Sequence, residues 1–104
     1  MKLGANTFIW ASPFRTPDHL PLVARVAGLG FDLIEVAFEE PALIDVAALG
    51  DAAAAAGLGV LVCGAYGPGR NLGSDDPAER AATAAYVRTL VDAARSERDV
   101  QKRL

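Results

Sequence analysis

The chain carries thirteen Asp and Glu residues but only one histidine, His19, and one cysteine, Cys63. Glu35 lies inside the apolar run FDLIEVAF, residues 31–38. A carboxylate there costs several kcal/mol unless it is paired or protonated. It is either a hydrogen-bonded interior group or a group that meets a ligand. Cys63 sits in a second apolar run, VLVCGAY, residues 60–66. As a nucleophile it needs a neighbouring base, and His19 falls at the start of a predicted helix, at the opposite end of its unit. The thiol therefore reads as a small buried hydrophobe or as a ligand contact, and His19 as a solvated or capping residue. Glu39 and Glu40 are adjacent carboxylates, an arrangement most often simply solvated. Arg70 beside Asn71 offers one cation to an anion. These residues assemble into no catalytic triad and no three-ligand metal site.

What must position these groups is set by a chain of 104 residues, with 52% hydrophobic and 22% charged residues and a net charge of −3. That is one domain or a piece of one, globular in composition. The charge balance lacks the clustered Lys and Arg that recruit nucleic acid or an anionic membrane. The longest uncharged stretch, 52–69, contains five Gly and a Pro and falls short of the ~20 continuous apolar residues of a membrane span. The N-terminus does not read as a signal peptide. One cysteine excludes an internal disulfide and a Cys-cluster metal site. A cytoplasmic protein is the expectation.

Ala-Gly-Leu-Gly occurs twice, at 27–30 and 56–59, each time before a short apolar run. The alternating segments 2–9, 31–38 and 60–66 predict strands. Helices are predicted at about 17–28, 45–56 and 77–95. Thr16 caps the first, with Pro17 at its first position, and Leu22, Val26 and Leu29 share a face. Asp45 opens the second, whose inward face is Val46, Leu49, Ala53 and Ala56. Asp76, Pro77 and Glu79 open the third with an Asp version of the capping box. Its stripe runs through Tyr86 or Val87, Leu90, Val91 and Ala94. Gly28 or Gly30, and Gly57 or Gly59, can close the first two helices in the left-handed conformation. The order β-α-β-α-β-α implies α/β with parallel strands and right-handed crossovers. A doubly wound sheet and a (β/α)8 barrel both use such units. Eight 29-residue units come to roughly the ~250 residues of a barrel, and no nucleotide-binding glycine fingerprint follows the first strand. Gly67-Pro68-Gly69 reads as a turn.

Three stretches, MKLGANTFIW, ARVAGLGFDLIEVAFEE and AGLGVLVCGAYGPGRNLGSDDPAERAATAAYVRTLVDAA, resemble the amino-terminal portion of ketose 3-epimerases of the D-tagatose/D-psicose type. These belong to the sugar phosphate isomerase/epimerase superfamily of xylose isomerase-like barrels. The resemblance covers residues 1–96 and implies the first three units of a TIM (β/α)8 barrel. It also implies proton transfer at C3 of a ketose through an enediolate, with a divalent metal such as Mn²⁺ stabilising the charge. The family's metal ligands, two Glu, one Asp and one His, come from later strands, so no cofactor and no catalytic residue is expected within this chain. Residues matching substrate contacts are Asn6, often aromatic in the family, and Cys63. Trp10 and Phe14 resemble the apolar wall of the sugar pocket. Strand alternation adds Phe8, on the face of Gly4 and Asn6, and Glu35, between Leu33 and Ala37.

Residues 97–104 form a charged tail that extends the third helix, with Asp99 and Arg103 at i,i+4 spacing, or frays. SERDVQKRL stands where the fourth strand is expected. The resemblance therefore implies a truncated epimerase, inactive alone, whose parent takes a small sugar. The alternative is a non-catalytic α/β part-barrel that oligomerises or binds a small ligand. Open sheet edges predict self-association. Sequential strand order with curvature supports the barrel, whereas a reversal of order supports the doubly wound sheet.

Overall fold

The computed structural model describes residues 1–102 and shows three parallel strands in the order β1-β2-β3. β1 is Gly4–Asn6, β2 is Leu33–Phe38 and β3 is Gly59–Gly64; the helices are α1, Pro21–Gly28, α2, Val46–Ala56, and α3, Pro77–Lys102. In register, Asn6 stands beside Glu35 and Glu35 beside Leu61, while Ala37 stands beside Cys63. Ala5, Ile34, Val36 and Phe38 turn to the other face and are buried with Val23, Val26, Leu49, Ala53, Tyr86 and Leu90. All three helices thus cover one face of the sheet. The strand order has no reversal, as the barrel arrangement requires. None of the described helices is long and apolar enough to cross a membrane.

β1 is shorter than the 2–9 predicted from alternation. The Asn6 side chain accepts from Phe8 N (2.8 Å), and Thr7–Ile9 coils into a 3₁₀ turn. The Thr7 hydroxyl then accepts the Ala37 N–H at 3.0 Å, so a side chain continues the pairing where the backbone leaves it. Phe8 consequently lies off the strand and is 47% exposed. β3 likewise ends at Gly64, short of the predicted 66.

α1 begins four residues later than the predicted 17. The Thr16 hydroxyl is committed elsewhere, accepting the Asp45 N–H at 2.7 Å, and Thr16 N–H donates to Leu43 O at 3.0 Å. Pro21 takes the first helical position instead. The buried face is Val23 and Val26, not Leu29, which is exposed. Asp45 caps α2 by accepting from Ala48 N (3.0 Å), as the sequence predicts. At α3, Asp76 Oδ1 accepts from Ala78 N (2.9 Å), but Glu79 does not close a reciprocal box. Its carboxylate accepts from Ser74 Oγ (2.6 Å), and Ser74 Oγ accepts the Asp76 N–H (3.1 Å). The buried stripe of α3 is Thr83, Tyr86, Leu90, Ala93 and Glu97, while Val91 and Ala94 face outward.

The two Ala-Gly-Leu-Gly motifs occupy different places. Gly30 (φ 95°) is left-handed in the first and Gly57 (φ 73°) in the second. Leu29 is exposed, Leu58 buried. Helix α3 runs through Ser96 to Lys102, beyond the predicted 95. The predicted Asp99–Arg103 pair involves Arg103, which lies outside the described residues.

Candidate functional site

The helix-free face of the sheet carries the polar groups. Asn6 Nδ2 donates to Glu35 Oε1 at 2.5 Å, which supplies the partner that a carboxylate in an apolar strand needs. Asn6, Glu35, Leu33 and Leu61 line a groove of about 300 Å³, and Leu61 at its floor is 48% exposed. One layer nearer the carboxyl end, Cys63 is half-buried, with Sγ 3.4 Å from Gly64 O.

A second cleft, of about 490 Å³, lies at the carboxyl ends of β2 and β3 between Glu39, Glu40, Tyr66 and Arg70. Gly67-Pro68-Gly69 is the turn the sequence predicts: Arg70 N–H donates to Gly67 O at 3.0 Å, and Gly69 has φ 88°. Proline followed by a left-handed glycine is the signature of a type II turn. Glu39 accepts from Ser12 Oγ at 2.6 Å, which ties the loop after β1 to the loop after β2.

Tyr86 organises this end of the sheet. Its hydroxyl donates to Phe38 O at 2.6 Å and accepts the Ala65 N–H at 2.9 Å. The Arg70 guanidinium lies over its ring, 3.8 Å from the centroid, and donates to Ala65 O at 3.0 Å. The Tyr66 ring meets it edge-on at 5.7 Å. A cation over an aromatic face contributes roughly 0.5–2 kcal/mol and here fixes the guanidinium at the cleft wall. Sequence reasoning treated Tyr86 as part of an apolar stripe and missed this role. The available signal was a lone hydroxyl-bearing aromatic on the inward face of an alanine-rich helix, since a buried Tyr O–H usually finds a partner.

The structure brings Asn6 and Glu35 into contact and places Cys63 on their face. Trp10 is half-buried against the core. Phe14 is fully buried inside the core, its ring 5.8 Å from His19, so it does not wall an open pocket. The loop that carries it turns the ring into the core cluster, where apolar burial favours it. His19 accepts from Arg15 N at 3.0 Å through Nδ1 and acts as a local cap. Among the described residues no three His, Cys, Asp or Glu side chains converge as a metal site. The residues present do not fit the divalent metal that the resemblance implies, and no step can be derived through it in this chain.

Sequential parallel strands, with all three described helices behind the sheet and polar side chains on the opposite face, have the arrangement of the first units of a TIM barrel. No protein-family model matches the sequence, and no curated protein does. Among solved structures the chain is similar to a D-psicose 3-epimerase crystallised in the presence of D-fructose, with 28% identity and a TM-score of 0.73 over 93% of this chain. It is also similar to D-allulose 3-epimerase from Methylomonas sp. (25%, TM-score 0.84) and to an L-ribulose 3-epimerase (26%, TM-score 0.80), each over 93% of this chain. The Methylomonas enzyme has also been solved in complex with D-allulose. The chain spans about a third of the length of these proteins, 33–34%.

Proposed function

We propose that this chain provides the first three βα units of a ketose 3-epimerase barrel and one wall of its sugar site. The observation that carries the reading is the Asn6–Glu35 pair, set on the helix-free face of a sheet whose fold matches three ketose 3-epimerases. In a closed barrel that face looks inward. Asn6 and Glu35 would hydrogen-bond sugar hydroxyls, Trp10 and Phe8 would contribute apolar surface, and Cys63 would lie against the ligand. Proton transfer at C3 and metal ligation fall to residues outside this stretch, a metal such as Mn²⁺ supplying charge stabilisation.

Two measurements test this. The purified 104-residue protein, incubated with D-fructose or D-psicose and Mn²⁺, is expected to give no interconversion by chromatography. Turnover would show that the wall assignment is too modest. Conversely, grafting residues 1–96 in place of the matching third of a D-psicose 3-epimerase should retain epimerisation above background. A folded chimera with none would remove the assignment.

A second reading, as a self-associating part-barrel, is favoured by Leu61, exposed on a sheet with two unpaired edges. Sedimentation is expected to show dimers or larger species at tens of micromolar protein, and Leu61→Thr to shift the distribution toward monomer. A monomer at every concentration sinks this reading without touching the first.

A further inference from the structure

The stripe that docks α3 proceeds Thr83, Tyr86, Leu90, Ala93, in steps of three and four, and the next step lands on Glu97. That side chain is 1% exposed, and neither carboxylate oxygen has a hydrogen-bond partner among the described residues. Buried carboxylates without partners are rare because the ionised form loses its hydration without replacement. The seat is shaped for it. A Cβ added to Gly50 of α2 would stand 2.7 Å from Glu97 Oε2 and 3.1 Å from Val100 Cγ2. Only glycine at position 50 leaves room for the carboxyl group.

We propose that Glu97 is a proton-operated latch between α3 and α2: the neutral carboxylic acid seats the last two turns of α3 over Gly50, and the carboxylate releases them. The elements packed against α3 are chiefly α2 and β3, with β2 reached through Phe38, and the one charged side chain of β2, Glu35, lies on the opposite face. The charged group facing Glu97 from α2 is Asp51, the one charged residue within that helix; β3 carries no charge, and its Cys63 lies on the opposite face. Asp92, Arg95, Arg98 and Asp99 flank Glu97 along α3, all on the exposed side. None of the ion pairs found among the described residues reaches Glu97.

Burial, and secondarily the Asp51 carboxylate, push Glu97 from 4.5 up to about 7. The released state has the ordinary value, so between pH 4.5 and 7 the seated state binds more protons. Docking therefore weakens as pH rises through that window and is weakest, and flat, above it. The ratio of seated to released forms falls by roughly two orders of magnitude across it. At neutral pH the latch sits at the top of its range, where a small acidification re-engages it.

The test follows the Glu97 carboxyl by NMR and the amide exchange of residues 97–100 relative to 86–90 in the same helix, with intrinsic exchange rates divided out. The Glu97 midpoint is expected near pH 7, and relative protection of 97–100 is expected to drop at least tenfold between pH 5.5 and 8. Glu97→Gln should abolish that pH dependence. Asp51→Asn should move the midpoint down. Gly50→Ala, which fills the seat, should leave 97–100 weakly protected at both pH values. An ordinary midpoint near 4.5 overturns the proposal. So does a pH response that persists in Glu97→Gln or in Gly50→Ala.

Discussion

Replacing Phe38 by alanine is expected to destabilise the protein by about 3–5 kcal/mol, the range for large aromatic truncations in a core. Phe38 is buried at the end of the central strand. Among the described residues β2 is the only strand paired on both sides, so a cavity there loosens both ladders and the helices packed behind them. Domains of about this size are stable by only ~5–15 kcal/mol, so the loss is a large fraction of the total. It corresponds to a fall in Tm on the order of 15–25 °C. Urea unfolding of wild type and variant checks it, with exposed Leu29→Ala as the control expected within about 0.5 kcal/mol of wild type. A Phe38→Ala loss below about 1 kcal/mol would mean the core is not centred on this strand.

Tyr86→Phe removes one oxygen and is expected to cost about 1–3 kcal/mol. The hydroxyl serves two backbone groups, the Phe38 carbonyl and the Ala65 N–H. An orphaned buried polar group costs roughly 1–3 kcal/mol; Ala65 is only half-buried and water can reach its amide, so the Phe38 carbonyl dominates. The phenyl ring remains beneath Arg70, which separates the hydrogen bonds from the packing. Denaturant midpoints measure the loss, and faster exchange of the Ala65 amide should accompany it. An unchanged midpoint would show that the ends of β2 and β3 are held together by the sheet alone. The two substitutions meet at the Phe38 carbonyl, so their effects should not add.

The alternation of strands and helices was legible because hydrophobic period and turn residues agree along most of the chain. Asp45 and the Gly67-Pro68-Gly69 turn were legible for the same local reason: each does its work within three residues of itself. The misreadings arose where a side chain is used at long range. Local spacing makes Thr16 a cap, yet its hydroxyl serves Asp45, 29 residues away. Phe8 was placed by alternation, which stops where Asn6 turns the chain. In α3 the true stripe contains Thr83 and Glu97; binary patterning counts only apolar residues, so it points to Val91 and Ala94 and places Glu97 in a charged tail. Of the site, Glu35 and Cys63 stood out as chemistry in apolar runs. The Asn6–Glu35 contact gives the first a hydrogen-bond partner, but needs a register that only strand pairing defines. Tyr86 and its stack with Arg70 join the start of one helix to a loop 16 residues earlier, and no periodicity encodes that.

The repeated Ala-Gly-Leu-Gly has a consequence for how such chains grow. Measured from its alanine, the next strand begins six residues on at Leu33 in the first copy but three residues on at Gly59 in the second. The same four letters thus finish a helix in one unit and start a strand in the other. An ancestry of these units read by matching letters would set a helix end over a strand start. Duplication followed by drift is compatible with the fold only because the joint between helix and strand can slip by nearly a full helical turn while the strands stay paired.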